Sequence, residues 1–374
     1  MQAKDNNKKV NHLRHFVASI IIIINVLFAT LLLLSAYSPY LQPTTHPVAS
    51  CFGLVFPIFA LINGLFLCFW LIVQRYKYAL LSLLALLLCY SQIRTYLPLN
   101  FSTKKPPQNS FKLLSYNIMG FDNTIKEKDG NPILNYLKES KADILCLQEY
   151  VTIKARHHLS QSDVENALST YPYKSIQTVG NNKGHTNCIA CYSKYPILSS
   201  RPIPYKSEYN GSVIYELKIG EDTVTLINNH FESNKLTKED KVIYENMIKS
   251  PETDKLKSGA RVLIKKLAEA SAIRAPQADS IAKYIKQNKH AYILVCGDFN
   301  DTPISYTHRI VSESLNDTYT DSGLGLGISY NQNRFYFRID NILASKNFKS
   351  YKCTVDHSIK ESDHYPIWCY LKKE

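Results

Sequence analysis

"VCGDFNDTP", residues 295–303, sets the problem of this fold. It closes an apolar run, Ala291-Tyr292-Ile293-Leu294-Val295-Cys296, of the kind that fills a buried strand. The run ends on Gly297 and then presents Asp298, Asn300 and Asp301. Side chains two apart in an extended chain point the same way, so Asp298 and Asn300 share one face where the strand leaves its sheet. One aspartate in such a place is an ordinary turn former or helix cap, and Asp301-Thr302-Pro303 has that look. The other strand ends decide between the two readings.

Working outward, "FKLLSYNIM" (111–119), "DILCLQEY" (143–150) and "CIACYSKYPIL" (188–198) read as strands. "VIYELKI" (213–219) and "TVTLINNHF" (223–231) form a hairpin through Gly220-Glu221-Asp222. "FRIDNILAS" (337–345) and "HYPIWCYLKK" (364–373) are the last strands. "PILNYLKESKA" (132–142) is helical, with Ile133, Leu134 and Leu137 on one face, and residues 237–289 are mostly helical and charged. Many strands with few, separated helices predict an α/β domain with largely antiparallel sheets. It begins at Phe111, after a Pro-containing polar stretch, 94–110, that reads as a linker.

Almost every predicted core strand ends on a polar side chain of metal-binding or acid–base type. They are Asn117, Gln148-Glu149, His230, Asp298 with Asn300, Asp340, and Asp363-His364. Singly each has a dull explanation: a surface acid, a turn, a satisfied core histidine. Strands of one sheet end side by side, so together these residues can converge on one cleft. Their order, Asn, Gln-Glu, His, Gly-Asp-x-Asn, Arg-Ile-Asp, Ser-Asp-His, resembles the endonuclease/exonuclease/phosphatase superfamily, the deoxyribonuclease-I-like fold, over roughly residues 110–374. The resemblance implies a four-layer α/β sandwich of two mostly antiparallel sheets with outer helices, and a divalent-metal phosphohydrolase.

The resemblance also implies roles. Glu149 would be the carboxylate ligand of Mg²⁺ or Mn²⁺, with Asn117 and Asp363 as further ligands. Asp298 would orient or deprotonate the attacking water, and Asn300 would hold a phosphate oxygen. His230 and His364 would donate to the phosphoryl group, and Asp340 would orient His364. The chemistry agrees: Mg²⁺ takes one or two carboxylates and keeps several waters, whereas zinc wants more His or Cys. Asn229 and Asn341 stand where the family usually has Thr and an aromatic residue. Arg274 reads either as a phosphate contact or as an exposed, paired helical arginine. The glycine-rich "SGLGLGISY" (322–330) reads as a loop near the cleft, with Tyr330 a substrate contact.

Residues 1–100 hold seven of the 44 Lys and Arg and one of the 31 Asp and Glu. The remaining basic surplus suits an anionic partner, though many domains that bind nothing anionic share it. Three apolar stretches, about 16–37, 51–73 and 78–93, each read as a membrane span, making 1–93 a membrane region. A signal peptide would have one short apolar core. Lys4, Lys8, Lys9 and Arg14 precede the first stretch and Arg75 and Lys77 lie between the second and third, whereas 38–50 has no Lys or Arg. The positive-inside rule then puts the N-terminus in the cytoplasm and 111–374 on the extracytoplasmic side of a bacterial-type inner membrane. If the third stretch does not cross, the side reverses. "VASC" (48–51) resembles a lipoprotein box but lies too far from the first apolar run. "CIAC" (188–191) has redox spacing but falls on a strand, where positions three apart face opposite ways.

The expected activity is hydrolysis of phosphate esters, foremost nucleic acid, with phospholipid head groups as in sphingomyelinases or phosphoinositide phosphatases as the alternative. An inactive, membrane-anchored binding module is the remote third. The expected partners are that substrate and the lipid bilayer; no protein partner is inferred.

Overall fold

The computed structural model describes residues 2–101, 105–124, 130–182, 185–249, 253–332 and 335–374. The strands are β1 (Phe111–Asn117), β2 (Ile144–Tyr150), β3 (Tyr173–Asn182), β4 (His185–Ser193), β5 (Ile197–Pro202), β6 (Gly211–Ile219) and β7 (Asp222–His230). They continue with β8 (Tyr292–Asp298), β9 (Leu315–Asp317), β10 (Tyr330–Gln332), β11 (Phe335–Phe337), β12 (Asp340–Ser345), β13 (Phe348–Val355) and β14 (Ile367–Lys373). One six-stranded sheet has the order β13-β14-β1-β2-β4-β3 and the other β5-β6-β7-β8-β12-β9, with β10-β11 a separate pair. Among the described residues only β1–β2 and β7–β8 pair in parallel, so both sheets are mixed but mostly antiparallel.

Period-two alternation builds the layers. Leu113, Ile144 and Cys146 join Val213, Leu226, Leu294 and Ile342 in the core between the sheets. Their neighbours Leu114, Tyr116, Leu145 and Leu147 face the other way, onto the helices Pro132–Glu139 and Gln161–Ala167. On the far side Ile227, Val295 and Leu343 pack on Ala278, Ile281 and Ile285 of the helix Thr253–Gln287. These strands are apolar throughout because both faces are covered. The four-layer sandwich expected from the sequence is observed.

Two helices, Phe16–Tyr40 and Pro47–Ile72, are long and apolar enough to cross a membrane. The third apolar stretch differs from expectation. It is not one helix but two, Tyr76–Leu88 and Tyr90–Tyr96, bent by 63°. The pair still runs the length of the bundle. Tyr78 packs on Trp70, Ser82 accepts from Asn25 at 2.8 Å, and Leu88 O accepts from Tyr37 at 3.2 Å. Residues 38–55 and 90–101 therefore meet at one end of the bundle, where the sandwich sits. There Arg309 Nε donates to Pro39 O (2.8 Å), Arg338 Nη2 to Thr95 O (2.6 Å), and Arg94 pairs with Asp321 (3.1 Å). Ile304 enters the same apolar cluster as Leu32, Ala36 and Phe56. A Cβ on Gly53 would stand 2.0 Å from Ile304 O, so only glycine permits this approach. Within 94–110, the stretch expected to link the two parts, Asn100 donates to Thr320 O and Gly323 O, while 102–104 lie outside the described residues.

Candidate active site

Sequence order and spatial order differ here in an informative way. Asn117, Glu149, His230 and Asp298 lie at the C-terminal ends of β1, β2, β7 and β8. Asp340 opens β12, and Asp363 and His364 precede β14. Because β12 runs antiparallel to β8, its first residue lies opposite the last of β8, Asp340 against Asp298. The parallel β7–β8 pair sets His230 beside Asp298. All eight residues singled out from the sequence thus gather at one end of the sandwich.

Asp298 is the hub. Asn117 Nδ2 donates to its Oδ2 (3.2 Å) and to Glu149 Oε1 (3.0 Å). His364 Nε2 stands 3.5 Å and His230 Nε2 3.7 Å from the same carboxylate, and His230 is also 3.6 Å from Glu149. His364 Nδ1 lies 2.8 Å from Asp340 Oδ2, so Asp340 fixes the ring. The ligand atoms of Asp298, Asp340 and His364 all lie within 4.8 Å of one another. Asn300 donates its backbone N–H to Asp298 Oδ1 (2.8 Å) and its amide to Phe231 O (2.9 Å) and Asp298 Oδ2 (3.3 Å). With its amide so engaged, Asn300 holds Asp298 in place; a phosphate oxygen would have to displace one of these bonds.

Two of these residues carry backbone strain. Glu149 (φ 52°) and Asn300 (φ 51°) are left-handed. Glu149 sits at the irregularity where the β2–β4 register shifts between Leu147 and Tyr150, which turns its carboxylate into the cleft. Gly297 (φ 124°) brings β8 so close to β7 that a Cβ would meet Asn229 O at 2.0 Å.

The electrostatics divide the site. Burial pushes the Asp298 carboxyl up to about 6, with Asp340 adding to the rise and His364 and His230 opposing it. Burial would lower His364, but Asp340 and Asp298 outweigh it and hold the ring well above the usual histidine value. Burial wins at His230 and keeps it low. Burial also raises Glu149, against the hydrogen bond from Asn117. The arrangement offers one cationic donor, one neutral imidazole, and a carboxylate basic enough to take a proton near neutral pH. Glu149 and Asp298 share the Asn117 amide, and Asp363 is close enough to Glu149 for its charge to raise that carboxyl, an oxygen-rich donor set that suits a hard divalent cation.

A family model described as the endonuclease/exonuclease/phosphatase family matches residues 114–364. The chain belongs to that family. A second family model, a domain of unknown function, matches residues 18–96. No curated protein matches the sequence. Among solved structures, an endonuclease/exonuclease/phosphatase from Beutenbergia cavernae is 13% identical over 71% of this chain and 72% of its own, with a TM-score of 0.48. The human Nocturnin catalytic domain with bound sulfate is 15% identical over 74% and 100%, at 0.49. TDP2 from C. elegans is 18% identical over 72% and 77%, at 0.45.

Several supporting residues of this family member were not legible. Ser329 Oγ accepts from the backbone of Ile339 and Asp340 (both 3.0 Å), and Ser362 Oγ ties Asn117 O (2.8 Å) to the His364 backbone (3.2 Å). Gln148, already singled out with Glu149 in the sequence, bridges the two sheets through Asn228 (2.6 Å) and also donates to Ser115 of its own sheet (3.1 Å). Tyr330 packs its ring 5.1 Å from His364, at the cleft as expected. Arg274 fits neither expectation. It is buried and donates to Glu232 O and Asn234 Oδ1 (both 2.9 Å), with Asp301 3.5 Å away.

Proposed function

We propose that this chain is a membrane-anchored, divalent-metal-dependent phosphodiesterase. One observation carries the reading: three carboxylates, two imidazoles and two amides from six segments of the chain gather about the carboxylate of Asp298. Glu149, Asn117 and Asp363 would hold Mg²⁺ or Mn²⁺. When bound, the cation polarises the phosphoryl oxygens and takes up charge that develops on them. Asp298, held by Asn300 and Asn117, orients the attacking water and accepts its proton. His364, kept cationic by Asp340, donates from Nε2 to a phosphoryl oxygen, and His230 donates beside it. Phosphoryl transfer needs such positioning and charge neutralisation more than covalent chemistry.

Residues 1–93 form the membrane region, 94–110 the link, and 111–374 the catalytic domain. The bent pair Tyr76–Leu88 and Tyr90–Tyr96 brings the chain back to the end of the bundle where 38–50 lies. With Arg75 and Lys77 at the other end, this supports an extracytoplasmic catalytic domain. The first substrate class is nucleic acid. A lipid head-group phosphodiester is the second, favoured because the membrane bundle grips Arg338 and Ile304, two and six residues from Asp340 and Asp298.

The test is hydrolysis of plasmid DNA, RNA, sphingomyelin and phosphoinositides by the full-length protein in detergent, with Mg²⁺ or Mn²⁺. Activity should vanish in EDTA and in Glu149→Ala. Full activity in EDTA would refute the proposal, and nicking without lipid turnover would remove the second substrate class.

A further inference from the structure

The membrane bundle does not end cleanly at Tyr96. The chain continues as Leu97, Leu99 and Phe101, which are 40%, 58% and 77% exposed. Beside it lie Leu324 and Leu326, 51% and 45% exposed. The two strips are joined: Leu99 and Leu324 form an antiparallel bridge, and Gly325 N donates to Pro98 O (2.9 Å). Asn100 fastens the same strip to Thr320 O (3.1 Å) and Gly323 O (2.8 Å). The result is a fixed ridge of five large apolar side chains, three from the link and two from the catalytic domain it is fastened to. Scattered single apolar residues are ordinary on a soluble surface, but a contiguous, held ridge calls for a partner.

Its position says which partner. The ridge starts one residue after the helix Tyr90–Tyr96, whose Tyr96 packs on Phe56 of the bundle. At this end the bundle turns Tyr37, Tyr40 and Tyr90 outward, 45%, 63% and 64% exposed. Tyrosines so placed mark the level of the head groups. Leu97 to Phe101 extend from that level by at most roughly 14 Å of chain. The ridge is therefore continuous with the surface that the membrane reading above puts in lipid.

We infer that the ridge of Leu97, Leu99, Phe101, Leu324 and Leu326, formed where the link is fastened to the catalytic domain, is a second bilayer contact in the interfacial layer of the outer leaflet. It rests on the membrane anchoring proposed above. The domain then lies against the bilayer instead of swinging on a tether. Arg338, bonded to Thr95, is two residues from Asp340, so the contact fixes how the cleft faces the membrane surface.

The experiment uses the full chain in nanodiscs of phosphatidylcholine with phosphatidylglycerol, with and without lipid carrying a doxyl quencher in its acyl chain. An environment-sensitive fluorophore is attached to native Cys68, exposed on the helix Phe56–Ile72, as the membrane control. In a Cys68→Ser background it is attached instead at Leu326→Cys, or at Ser199→Cys on β5, the opposite edge of the sheet from β9. The inference expects a blue-shifted, doxyl-quenched emission at 326 and an unshifted, unquenched one at 199. Quenching at Cys68 with none at 326 overturns the ridge contact and leaves the anchoring intact. No quenching at Cys68 removes the anchoring itself and the ridge contact with it.

Discussion

Replacing Asp317 by asparagine should lower the melting temperature by roughly 6–20 °C. Asp317 is buried at the end of β9. Its carboxylate accepts from Arg338 Nη1 at 3.0 and 3.3 Å, from the backbone of Tyr319 (2.9 Å) and Thr320 (3.3 Å), and from Thr320 Oγ1 (2.9 Å). His308 Nε2 stands 3.3 Å away. Arg338 is just as buried, with its guanidinium 4.7 Å over the Tyr319 ring and its second amino group on Thr95 O. Asparagine keeps the shape and one acceptor, but it leaves Arg338 as a buried cation without its counter-charge. Breaking such a pair from one side costs about 3–5 kcal/mol. At about 2–4 °C per kcal/mol for a domain of this size, that gives the stated range. The pH dependence has a definite sign. Burial alone would raise the Asp317 carboxyl, but Arg338 and His308 outweigh it and hold it well below the usual carboxylate range. A depressed folded value means the stabilisation is complete above the unfolded value of about 4 and fades as pH falls toward the folded one. The gap between wild type and variant should thus be constant from about pH 5 to 8 and narrow in acid. Circular dichroism melts in detergent across that range measure it. A variant melting within about 2 °C of wild type at pH 7 would refute the reasoning. The double change Asp317→Leu with Arg338→Met, which removes both charges, should melt above Asp317→Asn alone.

Asp340→Asn removes the anion that holds and charges His364. It should cut kcat roughly 10- to 100-fold, from a charge-assisted hydrogen bond of about 1.5–3 kcal/mol, with KM little changed; an unaltered kcat would deny Asp340 its role. The rate should fall as pH drops and Asp298 takes up a proton, with a midpoint at or below about 6, because a bound cation can only favour the anion further. A log kcat/KM profile flat from about pH 4 to 7 would contradict that. Gly297→Ala puts a Cβ into Asn229 O and a side chain at a φ that L residues avoid, so it should cost about 3 kcal/mol or more and lower the melting temperature along with activity.

The eight residues of the candidate site were legible because each interrupts or borders an apolar run, and as a set they exceed what turns, caps and surface acids explain. The fold was legible for the same reason, since strands apolar on both faces need two covered sheets. What escaped the sequence is what depends on distant partners. Asp340 sits inside "FRIDNILAS", yet the strand begins at it, because pairing with β8 and the Ser329 hydroxyl fix the start. Arg274 looked like a helix-surface cation. Its partners Glu232, Asn234 and Asp301 lie 27 to 42 positions away, and no local pattern announces them. The bend in the third apolar stretch has no glycine or proline to mark it. It falls at Cys89, where one backbone N–H is shared among the carbonyls of Ala85, Leu86 and Leu87, a feature hydropathy does not register.

The cleft end of the sandwich and the apolar helical bundle meet through two loops. The turn that carries Asp298 and Asn300 runs on through Thr302 and Pro303 to Ile304, which seats against Gly53. The loop that carries Asp340 leaves from Arg338, which holds both Thr95 and Asp317. Asn300 is already strained at φ 51°, and strained residues persist only where their surroundings over-determine them. Here part of that surrounding comes from the bundle. The first hundred residues are accordingly more than a tether. They brace two of the loops that set the distance between Asp298 and His364, and separating the sandwich from them would loosen the site before it loosened the core between the sheets.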